Sequence, residues 1–125
     1  MNTLDTTTIP AGVYYFYLFG TISNSNSNTF FIIDIYKYSG GVETLILSCN
    51  SEIITSTQPN DPSYLMLQST LATSIPCLST DKLIYVISAQ SDISNTDVNF
   101  YHSGSPYNSY SVTPFITTHN DSSNI

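Results

Sequence analysis

At 125 residues the chain has room for one domain around one hydrophobic core, and none for a second. Charged residues make up only 9% of it, nine acids against the two lysines Lys37 and Lys82, for a net charge of −7; this excludes the basic patch that nucleic acid or an anionic membrane requires. No run reaches the ~20 apolar residues of a membrane span, and Met1-Asn2-Thr3-Leu4-Asp5 lacks the basic start of a secretory signal, so the sequence predicts a soluble chain with no membrane insertion.

Helix formers are scarce, Glu occurring only as Glu43 and Glu52, while β-branched and aromatic residues fill every ordered-looking run. A short strand is predicted at 4–8. The turn-like Ile9-Pro10-Ala11-Gly12 then introduces a strong strand at 13–19, released by Gly20. An uncharged polar stretch, Thr21-Ile22-Ser23-Asn24-Ser25-Asn26-Ser27-Asn28, leads to a strand at 29–38. Ser39-Gly40-Gly41 supplies the positive-φ residues of a tight reversal into a strand at 42–48, which makes a β-hairpin.

A strand at 52–57 ends in the loop Gln58-Pro59-Asn60-Asp61-Pro62. The run 63–75 contains Leu and Met, but its Ser/Thr content and flanking prolines favour an extended strand over a helix. Further strands follow at 82–89, 97–102 and 110–116. The tail 117–125 has no pattern and is expected to fray. Short strands without helical crossovers predict an all-β fold, an antiparallel eight-stranded β-sandwich of jelly-roll type in a single domain with its core at about 9–116.

Alternate side chains of a strand point to opposite faces. In 13–19 both sets, Val13, Tyr15, Tyr17, Phe19 and Tyr14, Phe16, Leu18, are apolar or aromatic. The same holds for Phe31, Ile33, Ile35 against Phe30, Ile32, Tyr36, and for Leu83, Tyr85, Ile87 against Ile84, Val86. Only one face of a sandwich sheet looks into the core, so the second faces need cover. The patch they would leave exceeds the few hundred Å² that monomers tolerate. Tyr14, Phe16, Leu18, Phe30, Ile32, Tyr36, Ile84 and Val86 are therefore the expected oligomer or partner interface.

Motifs of chemistry are missing. Gly40-Gly41 are not followed by the Lys-Ser/Thr of a phosphate loop, and neither G-x-S-x-G nor H-E-x-x-H occurs. His102-Ser103-Gly104-Ser105 places a base beside hydroxyls, but sequence neighbours seldom supply a nucleophile and its base in one geometry, and the segment reads as a polar turn. His119 lies in the tail and is expected to be inert. Asp61, Asp92 and Asp97 have oxygen ligands of the kind Ca²⁺ takes, but turn formation explains the same residues. Cys49 and Cys77 match no zinc spacing and read as free thiols, with a bridge as the alternative. No catalytic residue, metal or cofactor is expected.

Tyrosines beside Ser/Asn loops, in Pro106-Tyr107-Asn108-Ser109-Tyr110, suit both protein interfaces and glycan stacking. Tyr107, Asn108 and Tyr110 are accordingly the candidate glycan contacts. Asn120-Asp121-Ser122 is a glycosylation acceptor triplet, which carries little weight in the tail.

Ile9-Pro10-Ala11-Gly12 before an aromatic strand, the Ser39-Gly40-Gly41 hairpin, Thr80-Asp81-Lys82-Leu83-Ile84 opening a late strand, Val98-Asn99-Phe100-Tyr101, and the closing Ser109-Tyr110-Ser111-Val112-Thr113-Pro114-Phe115 occur in an order that resembles the small jelly-roll modules of virion structural proteins. These are found in phage tail and fibre components and in giant DNA viruses. The resemblance spans about residues 9 to 116. It implies a capsid-associated, decoration or fibre-tip piece of a virion, made in the host cytoplasm and commonly trimeric. The partners it implies are further copies of the chain, other virion proteins, or a host glycan. Lys82 stands where such modules often carry Arg, and the first strand lacks the Trp they often have.

Overall fold

In the computed structural model the described residues are 7–101, 107, 109–115 and, for the backbone, 123–124. They form ten strands and no helix: β1 Thr8–Ile9, β2 Gly12–Ile22, β3 Thr29–Ser39, β4 Val42–Asn50, β5 Ser63–Leu71, β6 Ile75–Pro76, β7 Lys82–Ser91, β8 Val98–Tyr101, β9 Tyr110–Val112 and β10 Ser123–Asn124. All pairings are antiparallel. The all-β expectation holds, and the segment at 63–75 is extended over most of its length.

Three sheets result. In the largest, β2 is bordered on one side by β5 and on the other by β9 and then β8, with β10 outside β9. The second has the order β4-β3-β7, and β1 and β6 form a short ribbon. Gly40 and Gly41, at φ of 57° and 83°, close the β3–β4 hairpin with Ser39 opposite Val42. Both glycines adopt the positive φ that a two-residue hairpin turn demands. The two larger sheets face each other across one core that includes Phe16, Leu18, Phe31, Ile33, Ile35, Ile54 and Leu67. Phe16 meets Tyr85 across it edge to face, with ring centroids 5.8 Å apart.

Three local expectations change. Gly20 does not release β2, which continues to Ile22. A Cβ there would lie 2.5 Å from the Phe31 ring, so the glycine serves the close approach of the two sheets. Residues 52–57 are not a ladder strand, because the segment crosses between sheets. Ser51 N and Ile54 N donate to Phe31 O and Thr29 O of β3, and two residues on Ser56 O accepts from Ile22 N of β2. Ser123–Asn124 of the tail is paired, opposite Ser111 and Tyr110 of β9.

Candidate functional site: two outer sheet faces

The partner strand decides which face of β2 is buried. Phe16 and Leu18 stand opposite Leu67 and Leu65 of β5, whereas Tyr15 and Tyr17 stand opposite Gln68 and Met66. Only the first set can enter the core without burying Gln68. Tyr14, Phe16 and Leu18 are accordingly fully buried, and the Tyr14 hydroxyl donates to Pro10 O at 2.8 Å. These three residues were expected at a partner interface, and the structure corrects this: they belong to the chain's own core. Burial of the Tyr14 phenol, followed by the charge of Tyr85, raises its pKa.

The outward set of β2 assembles a tyrosine face. Tyr17 is near parallel to Tyr110 of β9 at 4.7 Å, to Tyr64 of β5 at 6.0 Å and to Tyr15 at 6.4 Å. Phe19 meets Tyr64 at 4.9 Å and Tyr107 at 5.5 Å, and Tyr107 meets Tyr101 at 6.1 Å. The Tyr17–Tyr110 separation equals the spacing of adjacent strands, so these directly opposed rings stand upright and lie against one another. The Tyr64 and Tyr110 hydroxyls are 3.1 Å apart, and the Tyr107 hydroxyl donates to Asn60 O at 2.5 Å. The hydrogen bond to Tyr110, then burial and the neighbouring phenols, push the Tyr64 pKa up to about 12. Two of the three glycan candidates, Tyr107 and Tyr110, thus join one cluster. Asn108 lies outside the described residues.

The other five expected interface residues share the outer face of the second sheet. Tyr36 stands between Ile84 of β7 and Leu45 of β4, Asp34 between Val86 and Ser48, and Ile32 between Ser88 and Asn50, with Phe30 opposite Gln90. Leu45 is 53% exposed and Val86 42%, while Phe30, Ile32, Tyr36 and Ile84 are half-buried. A register shift between Ile35 and Tyr36 breaks the β3–β4 alternation, and it is what puts Leu45 on the same face as Tyr36. The sequence gives no sign of that bulge, and Leu45 was missed for this reason.

Groups suited to chemistry are occupied otherwise. Among the described residues no three His, Cys, Asp or Glu side chains are placed to hold a metal. Asp92 clasps Asn28, its Oδ1 accepting from the backbone N at 2.7 Å and Oδ2 from Nδ2 at 3.0 Å. Asp97 and Asp61 serve their loops through the backbone, Asp97 N donating to Ser23 Oγ at 2.8 Å and Asp61 N to Gln58 O at 3.0 Å. Cys49 and Cys77 are free thiols. Burial, then the Asp34 carboxylate, raises Cys49 to about 11, and burial with Asp81 raises Cys77 as well. Neither is an activated nucleophile.

A shallow cavity of about 200 Å³ is lined by Lys37, Ser39, Pro76, Cys77, Leu78 and Asp81. Its polar groups serve the loop before β7: Leu78 N donates to Asp81 Oδ2 at 2.8 Å and Lys37 Nζ to Pro76 O at 3.4 Å. Hydrogen bonds from Ser39 and from the Leu78 backbone, then the Lys37 charge, hold the Asp81 carboxyl below its usual range. His102 to Ser105, His119 and the Asn120-Asp121-Ser122 triplet lie outside the described residues. Comparison with family models, curated proteins and solved structures gives no match.

Proposed function

We propose that the chain is a non-enzymatic structural module of a virion, a small jelly-roll sandwich that acts by packing against further copies of itself or against neighbouring virion proteins. The observation that carries this reading is the outer face of β3, β4 and β7. Ile32, Leu45, Ile84 and Val86 form an aliphatic stripe around Tyr36 there, with Asp34 as the acid among them. The low charge of the chain suits such a surface, because few ionised groups must be desolvated when protein covers it. The resemblance to virion jelly-roll modules supplies the setting, a particle surface or capsid-associated position, and a trimer as the common order.

Sedimentation velocity tests the assembly reading. The wild type should associate at micromolar concentration, and Leu45→Lys with Ile84→Lys should weaken that association about tenfold or more. A wild type that stays monomeric across that range would overturn it. Mass spectrometry of purified particles checks the virion setting separately.

A second reading, attachment to a host glycan, is supported by the gathering of Tyr107 and Tyr110 with Tyr17, Phe19, Tyr64 and Tyr101. Upright rings packed on one another offer edges and hydroxyls to a ligand more than open faces. On a glycan array, a specific signal that Tyr107→Ala abolishes would favour binding over scaffolding.

A further inference from the structure

The two larger sheets treat their edges differently. At the β5 edge, Ser63 Oγ accepts from Thr55 N and Ser56 N of the crossing segment, at 3.2 and 3.0 Å, and β4 packs nearby through Ser69 Oγ on Ser48 O at 3.5 Å. Among the described residues, the β7 edge has no such cover, and β7 is bonded on one side only, to β3.

Edge strands are ordinarily blunted by brevity, proline, bulges or several charges. β7 has ten residues in unbroken register from Lys82 to Ser91, with neither Pro nor Gly, and its only charge is Lys82 at the start. Its Val86, Ser88, Ala89 and Gln90 are exposed. An edge of this kind is a template for another strand.

We infer that the β7 edge pairs with β7 of a second copy, antiparallel about a two-fold axis through Ile87, which sets Lys82 of each copy opposite Asp92 of the other. An axis perpendicular to the sheet keeps both inner faces on one side, so the two β4-β3-β7 sheets become one continuous sheet. The register follows from charge. The segment from Lys82 to Asp92 carries a cation at one end and an anion at the other, and only a two-fold at Ile87 brings them together, twice per dimer. The intervening pairs match large with small or polar residues: Ile84 with Gln90, Tyr85 with Ala89, Val86 with Ser88.

Asp92 is held toward the β3 side, so Lys82 of the second copy would be met by the lone pairs that Asn28 leaves on its two carboxylate oxygens. Its carboxylate is clasped by Asn28, and the preceding Ser91 Oγ is held by Thr29 Oγ1 at 2.8 Å and by Ile93 N at 3.3 Å. A second copy is the partner this arrangement fits, since the strand is complementary to itself. The inference deepens the assembly reading and rests on it; it commits to a dimer as the basic unit, in place of the trimer that the resemblance implies.

Charge exchange in the full chain tests it. Lys82→Glu should raise the dimer dissociation constant about tenfold at low salt, and Lys82→Glu with Asp92→Lys should restore it. Thermal melts of each variant verify that the fold and the Asn28 loop survive. As a second measurement, Val86→Cys with Ser88→Cys should oxidise to a covalent dimer that the wild type, with Cys49 and Cys77 alone, does not form. If the wild type associates but the charge exchange has no effect and no cross-link forms, the edge pairing is wrong while assembly through the outer face stands. A monomeric wild type removes both.

Discussion

The outer faces of the two main sheets look alike when residues are counted as apolar, yet they solve the problem of exposure in different ways. On the β2 sheet, Tyr15, Tyr17, Phe19, Tyr64, Tyr101, Tyr107 and Tyr110 cover one another ring against ring, with the Tyr64 and Tyr110 hydroxyls meeting and the Tyr107 hydroxyl on Asn60 O. On the β3 sheet, Ile32, Leu45, Ile84 and Val86 around Tyr36 have no such recourse, because aliphatic groups carry no polar tip. A tyrosine face can be finished within one chain, whereas an aliphatic face is finished by a partner.

The largest expected effect probes that contrast directly. Tyr17→Ala removes three ring contacts, each worth about 0.5–1.5 kcal/mol, and should lower stability by about 2–4 kcal/mol in a denaturant titration. Ile32→Ala occupies the matching central position of the other outer face, but its cross-strand neighbours are Asn50 and Ser88, and it should cost about 1 kcal/mol or less in the isolated chain. Equal losses at the two positions would break the comparison, since they would mean that the aliphatic face is already covered within the chain.

Much of the fold was legible in the sequence because its signals were local. Gly40-Gly41 announced the hairpin, the β-branched and aromatic runs announced β2, β3, β4 and β7, and Ser/Thr content with flanking prolines announced β5. Which face of each strand turned inward was not, because that depends on the register with a distant strand. Tyr14, Phe16 and Leu18 are indistinguishable from Tyr15, Tyr17 and Phe19 until Leu65, Leu67 and Gln68 of β5 are set opposite them. Gly20 carried a usable hint: it has the same parity as Phe16 and Leu18, and a strand glycine marks a close approach on its own face. Leu45 and the Asn28–Asp92 clasp are products of a bulge and of a contact between loops, which no periodicity encodes.

Next in size is a difference in association. Tyr64→Lys with Met66→Lys alters net charge by the same amount as Leu45→Lys with Ile84→Lys, and Tyr64 and Met66, at 54% and 49%, are no less exposed. Only the aliphatic pair should weaken self-association about tenfold; the tyrosine-face pair should leave the dissociation constant within about twofold. The result expected from an undirected hydrophobic surface, equal weakening by both pairs, would show that the aliphatic face is not special.

The smallest effect is a matter of pH. The hydrogen bond between the Tyr64 and Tyr110 hydroxyls, with burial second, raises Tyr64 to about 12, and burial raises Tyr85 to about 12 and Tyr14 further. A phenol whose folded pKa exceeds its unfolded value of about 10 binds its proton more tightly in the native state. Its contribution to stability is therefore complete below about pH 10 and is lost as pH rises toward 12. Tyr110→Phe deletes the leading cause at Tyr64 and leaves Tyr14 and Tyr85 untouched, because those two owe their shift to the core. Followed by tyrosinate absorbance, the variant should bring one phenol down toward the ordinary range while two stay high. An unchanged titration would mean that the exposed Tyr64 hydroxyl exchanges its partner for water, and that the tyrosine face is held by ring packing alone.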